Sequence, residues 1–156
     1  MKTKKQGIRE YINDKLELLH DIPQCATIAE ACLPDRGGKE FVEKCFLRDD
    51  SFIVYKKDDE LVGFAIFESQ GNYIRFKCIA VLPGRNVHFV VREMLEGFLA
   101  ITAKHAIPVC ADIPKGNMSL YVALGMLEFE PADIFSKKIN GIDTEFYTLA
   151  HTVGCV

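Results

Sequence analysis

Between Phe52 and Val81 the chain consists largely of residues that favour extended backbone, and at Val87 its apolar period becomes that of a helix. Phe52-Ile53-Val54-Tyr55 and Leu61-Val62-Gly63-Phe64-Ala65-Ile66-Phe67, joined across Asp58-Asp59-Glu60, predict a hairpin. Gln70-Gly71-Asn72 turns the chain into a third strand, Tyr73 to Val81, whose charged residues Arg75 and Lys77 fall on one face, and Pro83-Gly84 ends it. Val87, Val90, Val91, Met94, Phe98 and Ile101 then recur at helical spacing, with Arg92, Glu93 and Glu96 outside. Ile107 to Ala111 reads as a short buried strand. A strand run that feeds a long amphipathic helix and returns to a strand implies a sheet with a helical crossover.

The flanks fit the same plan. Lys15-Leu16-Glu17-Leu18-Leu19 alternates weakly and predicts a short strand, followed by a helix start at Asp21 with Pro23 in its first turn. Ile22, Cys25, Ala26, Ile28, Ala29 and Cys32 continue that helix until Leu33-Pro34. Asp35-Arg36-Gly37-Gly38 is a turn, and Lys39 to Leu47 a second helix with Phe41, Val42, Cys45 and Phe46 on one face. Later, Asn117 is expected to cap a helix that runs through Leu124, with Gly125 as its C′ residue. Asp133 to Ile139 and Ile142 to Ala150 form a hairpin across Asn140-Gly141. The expected order is β-α-α-β-β-β-α-β-α-β-β: an α/β chain with one mixed, mostly antiparallel sheet and helices on both faces. Residues 1–14 are expected to be an N-terminal extension, with Lys2, Lys4 and Lys5 solvated, and residues 15–156 a single domain.

Composition excludes several classes of function. The 156 residues are 49% hydrophobic and 26% charged, ordinary for a globular domain, and a net charge of -3 argues against nucleic-acid binding. No apolar run approaches the roughly 20 residues of a membrane helix, and no apolar stretch follows the charged N-terminus as a signal peptide requires. A cytoplasmic domain is expected. The six cysteines, Cys25, Cys32, Cys45, Cys78, Cys110 and Cys155, show no Cys-x-x-Cys pair and no metal-ligand spacing with His, so reduced structural thiols without a bound metal are expected. His20, His105 and His151 have no partner pattern.

Four segments carry a resemblance to a known family. Leu16 to Pro23 is similar to a first strand running into an Asp-hydrophobic-Pro helix start. Asp58 to Phe64 resembles a second hairpin with its strand glycine, Ile79-Ala80-Val81-Leu82-Pro83 a strand end reading Val-x-Pro, and Tyr121-Val122-Ala123-Leu124-Gly125-Met126 a late Tyr-x-x-x-Gly-Phe. In this order they resemble the GNAT superfamily of N-acetyltransferases over residues 15 to 151. The resemblance implies a GNAT-like fold and transfer of an acetyl group from acetyl-CoA to an amine through a ternary complex. The amine would belong to a small molecule or a peptide, and the chain would be a monomer or homodimer. Its cofactor loop departs from the family's Gln/Arg-x-x-Gly-x-Gly/Ala, whose positions become Asn86, Phe89 and Val91 here, with no glycine. The alternative is an inactive GNAT-like domain that binds a protein partner or senses an acyl-CoA.

The resemblance assigns roles residue by residue. Ile79, Ala80 and Val81 would hold the pantetheine arm through their backbone, and the amides of Val87, His88, Phe89, Val90 and Val91 would meet the pyrophosphate at a helix N-terminus, with Asn86 beside them at the first position of the cofactor motif. Arg85, His88 and Arg92, spaced by three and four, form either a phosphate clamp on one helical face or a solvated basic edge. Tyr121 would protonate the leaving thiolate; the bland reading is an amphipathic core tyrosine. Asn117 corresponds to the family's late asparagine, or is simply an N-cap. Glu68, Asp112 and His88 are the candidate general bases.

Overall fold

The computed structural model describes residues 15–33, 37–139 and 141–151. Its elements in chain order are α1 (Lys15–Cys32), α2 (Lys39–Leu47), β1 (Ser51–Lys57), β2 (Glu60–Gln70), β3 (Tyr73–Val81), α3 (Val87–Lys104), β4 (Val109–Pro114), α4 (Met118–Met126), β5 (Phe129–Ile139) and β6 (Ile142–His151). Six strands form one sheet in the order β1-β2-β3-β4-β6-β5, antiparallel throughout except for the β3–β4 pair. Two apolar layers sandwich it. Helices α1 and α2 bury Cys25, Ile28, Ala29, Val42 and Cys45 against Phe52, Phe64 and Ile66, while α3 and α4 bury Val91, Leu95, Phe98 and Leu124 against Phe67, Phe76 and Ile113. The expected mixed sheet with helices on both faces is present.

The N-terminal expectation is corrected. Residues 15–19 are helical, and Asp21 lies inside α1 rather than capping it. Five alternating residues are too few to outweigh the helical row in which Leu18 joins Cys25 and Ile28 in one apolar layer. Asp21 is 5% exposed and its carboxylate pairs with Lys56 at 2.8 Å. The interior Pro23 is tolerated, although it supplies no amide to the helix. The expected N-terminal extension, Cys155 and parts of two turns (Asp35, Arg36 and Asn140) lie outside the described residues.

Other boundaries shift for local reasons. The Ile107 amide bonds back to the Thr102 carbonyl at 2.8 Å and Ala106 takes a positive φ of 54°, so residues up to Ile107 close α3 and β4 starts at Val109. Gly125 stays inside α4, and the left-handed residue after that helix is Glu128 at φ 72°. Strand β5 begins at Phe129, ahead of the expected Asp133, because Pro131 lies on the sheet edge beside a bulge, where a missing amide is tolerated. The β1–β2 hairpin turns as expected at Asp58 and Asp59, both at positive φ.

Candidate active site

The sheet is open at its centre. Strand β3 has nine residues, but its rungs to β4 end after Ile74–Val109, Arg75–Cys110 and Phe76–Ala111. On its other edge β3 stays paired with β2 as far as Gly63–Val81. The second half of β3, Lys77 to Val81, therefore parts from Asp112–Pro114 and borders a slot. Lys77 is also a bulge: Cys78 faces Ile66 and Phe76 faces Phe67, which leaves Lys77 as the extra residue at the head of the slot. The parity of β3 changes there, since Phe76 belongs to the α3 layer and Cys78 to the α1 layer.

The sequence-predicted residues border this slot in unequal ways. Ile79 and Ala80 are buried at 3% and 2%, with their side chains in the two apolar layers, and the Val81 carbonyl accepts a hydrogen bond from the Cys32 thiol at 3.0 Å. Six residues later α3 begins, and Asn86 is its N-cap: Oδ1 accepts from the Phe89 amide at 3.0 Å, and the Asn86 carbonyl accepts from the Val90 amide at 3.0 Å. The amides of Phe89 and Val90 are thus occupied within the helix. Those of Val87 and His88, in the first turn, are the ones that helix geometry presents to an anion.

The proposed triad of Arg85, His88 and Arg92 does not form one helical face. Arg85 precedes the cap, and its guanidinium donates to Glu60 at 2.9 Å on the β1–β2 hairpin. His88 and Arg92, one turn apart on α3, share a cleft of about 380 Å³ with Asn86, Phe89, Ala123, Met126 and Leu127, between α3 and α4. Arg92 lies 4.0 Å from Glu96 and 5.8 Å from the Phe89 ring, which Lys57 approaches at 5.6 Å. The Phe89 side chain thus lies against two cations, whereas Val91 is fully buried in the core.

Tyr121, in the first turn of α4, is half-buried, with its ring 5.3 Å from that of Tyr147. Asn117 is an N-cap whose Oδ1 accepts from the Leu120 amide at 3.2 Å; the plain capping role explains its position. Both α4 residues are carried by the layer on the α3 side of the sheet.

On the opposite face lies a polar row that holds two of the candidate bases and joins them to Arg75 and Lys77, which sequence reasoning left without a role. Arg75 donates to both oxygens of Asp112, at 2.7 and 2.8 Å, and Thr148 donates to the same carboxylate at 2.8 Å. Lys77 reaches Asp50 at 2.8 Å and Glu68 at 3.4 Å. Burial lowers the affinity of Arg75 and Lys77 for a proton, but bonding and charge from Asp112 and Asp50 respectively prevail and leave both pKa values raised. The Cys110 thiol is pushed up by burial; Arg75 opposes this shift and Asp112 adds to it. Of the candidate bases, Asp112 and Glu68 belong to this row and His88 to the α3 cleft. The visible signal was the placement of Arg75 and Lys77 on one face of an otherwise apolar strand.

Cys25, Cys32, Cys45, Cys78 and Cys110 are free thiols. Among the described residues, no group of three or more His, Cys, Asp or Glu side chains could hold a metal ion, and no helix is long and apolar enough to cross a membrane.

No protein-family model matches the sequence, and no curated protein matches it. Solved structures do. The ribosomal-protein-S18-alanine N-acetyltransferase from Escherichia coli is similar at a TM-score of 0.70 and 15% identity, over 88% of this chain and 90% of that one. Aminoglycoside 6'-acetyltransferase type Ii is similar at a TM-score of 0.68 and 16% identity, over 91% and 95%. A GNAT family acetyltransferase from Elizabethkingia anophelis with acetyl-CoA bound is similar at 0.61 and 14%, over 80% and 87%. At such identities the likeness concerns the fold alone, and the six-stranded mixed sheet flanked by helices is, accordingly, a GNAT-like fold.

Proposed function

We propose that this chain is an N-acyltransferase that moves an acetyl group from acetyl-CoA to an amine. The observation that carries the reading is the early end of the β3–β4 ladder at Phe76–Ala111, which leaves one edge of Ile79, Ala80 and Val81 beside a slot that leads to the N-terminus of α3. A pantetheine arm has alternating amides and fits such an edge as an added strand would. The amides of Val87 and His88 suit its pyrophosphate, with Arg92 and His88 as charged partners in the adjoining cleft.

In the reaction, the lone pair of the neutral amine attacks the thioester carbonyl, the carbon–sulfur bond breaks, the departing thiolate takes a proton, and the excess proton on nitrogen passes to water, which restores the proton donor. The Tyr121 hydroxyl is the proposed donor, the role that the resemblance gives to the tyrosine of the late Tyr-x-x-x-Gly segment. The acceptor, a small-molecule or peptide amine, approaches from the polar row on the opposite face.

Phe89 favours a second reading, a GNAT-like domain that has lost acetyl transfer and binds a partner or senses an acyl-CoA: a large ring stands where the fold's relatives need only backbone. Calorimetry with acetyl-CoA and CoA, followed by an acetylation assay, separates the two. Binding with turnover supports the enzyme. Binding without turnover of any amine supports the sensor, and absence of binding rejects both acyl-CoA readings.

A further inference from the structure

Strand β5 forms one edge of the sheet: β6 lies on its inner side, and among the described residues no strand pairs with its outer side. An open edge of this length is a template for a further strand unless something guards it. The guards here, Pro131 and the bulge that follows it, stand near the N-terminal end. From Asp133 to Ile139 the ladder to β6 runs without interruption. Every residue from Asp133 to Lys138 is exposed except Phe135, which is half-buried with its ring stacked on Phe146 at 5.2 Å.

The backbone of this stretch limits how a partner strand can bind. The Ile134 amide bonds to the Asp133 carboxylate at 2.8 Å and therefore points away from β6. Directions alternate along a strand, so Ser136 and Lys138 also present their backbone outwards, while Asp133, Phe135 and Lys137 bond inwards to β6. An antiparallel copy of the strand can pair only in registers that set outward residues opposite outward residues. One such register is centred on Phe135. It bonds Ile134 to Ser136 of the other copy, brings the two Phe135 rings together and sets Asp133 opposite Lys137 on both sides. Registers centred on Ile134 or on Ser136 instead put Lys137 against Pro131 or Phe135, and leave Asp133 without a cation.

Charge selects the occupant of the edge. Asp133 and Lys137 are exposed, share one face of β5 and have no ion-pair partner among the described residues. Four residues apart on an extended strand, they lie roughly 13 Å from each other and cannot pair within one chain. A contact about a two-fold axis requires a surface that complements itself, and a strand with a carboxylate two residues before its centre and an ammonium two residues after it meets that condition.

We propose that the outer edge of β5 pairs with the same edge of a second copy of this chain, antiparallel about a two-fold axis at Phe135, so that Asp133 of each copy meets Lys137 of the other. On pairing, the Ile134 amide passes to the Ser136 carbonyl of the other copy, which releases the Asp133 carboxylate to the lysine. A ladder of this length is at the small end of specific interfaces, so the dimer dissociates on dilution. Strands β4 and β6 stand between β5 and the slot, so the contact leaves the candidate active site open.

Sedimentation velocity of the full chain over a concentration series tests the pairing. Wild type should pass from monomer to dimer as concentration rises. Asp133→Lys and Lys137→Asp should each raise the dissociation constant about tenfold or more, because each reversal acts twice across the two-fold. The double variant D133K/K137D rebuilds both pairs with their signs exchanged and should return the constant close to that of wild type. Both side chains are exposed, and the urea midpoint of each variant reports that it is folded. A wild type that stays monomeric up to about 1 mM overturns the proposal, even if a strand of another protein binds the edge. A dimer that ignores the single reversals, or one that the double exchange fails to restore, overturns it as well.

Discussion

Val90 closes over Gly63. A Cβ placed on that glycine would lie 2.9 Å from Val90 Cγ1 and 3.2 Å from the Ala80 carbonyl oxygen. The contact seats the first turn of α3 on the sheet directly beside the end of β3, which places the helix N-terminus at the mouth of the slot. Gly63→Ala must push the helix outwards, because the Ala80 carbonyl belongs to the β2–β3 pair and cannot yield. Overpacking of this kind costs about 1–3 kcal/mol. The variant should show a lower urea midpoint and weaker acetyl-CoA binding together; a loss of stability alone would uncouple this contact from the cofactor site.

Tyr121→Phe should lower acetyl turnover by roughly ten- to a thousandfold, with water as a substitute donor, and leave acetyl-CoA affinity nearly unchanged. The hydroxyl acts only as the thiolate forms, and the ring's packing on Tyr147 survives the substitution. Steady-state kinetics beside calorimetry reads both quantities, and unchanged turnover would remove Tyr121 from the mechanism.

Phe89 and Val91, the positions at which the resemblance expects loop glycines, should respond in opposite ways. Phe89 is exposed, so Phe89→Gly should cost only about 1 kcal/mol of helix propensity and hold or improve CoA affinity. Val91 is fully buried, and Val91→Gly should add a core cavity to that cost and melt at a distinctly lower temperature. Arg92→Ala should weaken CoA by about 1–3 kcal/mol if its guanidinium meets a phosphate. Titration of each variant with CoA and dephospho-CoA locates the contact, and an Arg92→Ala protein that binds as wild type does would leave the phosphates to the amides.

Stability should fall at alkaline pH and ignore reductant. Burial, aided by the charges of Asp21 and Asp50 respectively, raises the thiols of Cys25 and Cys45 from 9.0 to about 12 in the fold. Above pH 9 the unfolded chain therefore releases protons that the folded chain keeps, and the slope of unfolding free energy with pH is negative until about pH 12. Urea denaturation between these limits should show the decline, and a Cys45→Ala variant should show less of it. Loss of folding on addition of reductant at neutral pH would contradict the free thiols.

What could be read from the chain alone was whatever neighbouring residues decide. Helix α2 and strand β3 have the predicted limits because an apolar period, bounded by Gly37-Gly38 or by Gly71 and Pro83, is a local property. The Asn86 and Asn117 caps act within three residues of themselves. Tertiary contact decided the rest. A helical row carried through Leu18 overrode a strand-like stretch before Pro23, since the apolar layer it completes involves residues up to Ala80. The parting of β3 from β4, the bulge at Lys77 and the bond between Arg75 and Asp112, 37 positions apart, leave no trace in local periodicity. They depend on which strands become neighbours, and each strand pattern is compatible with several partners. The sequence could name the residues along β3; only the pairing of the sheet could turn one of its edges into a slot and set Arg75 against Asp112.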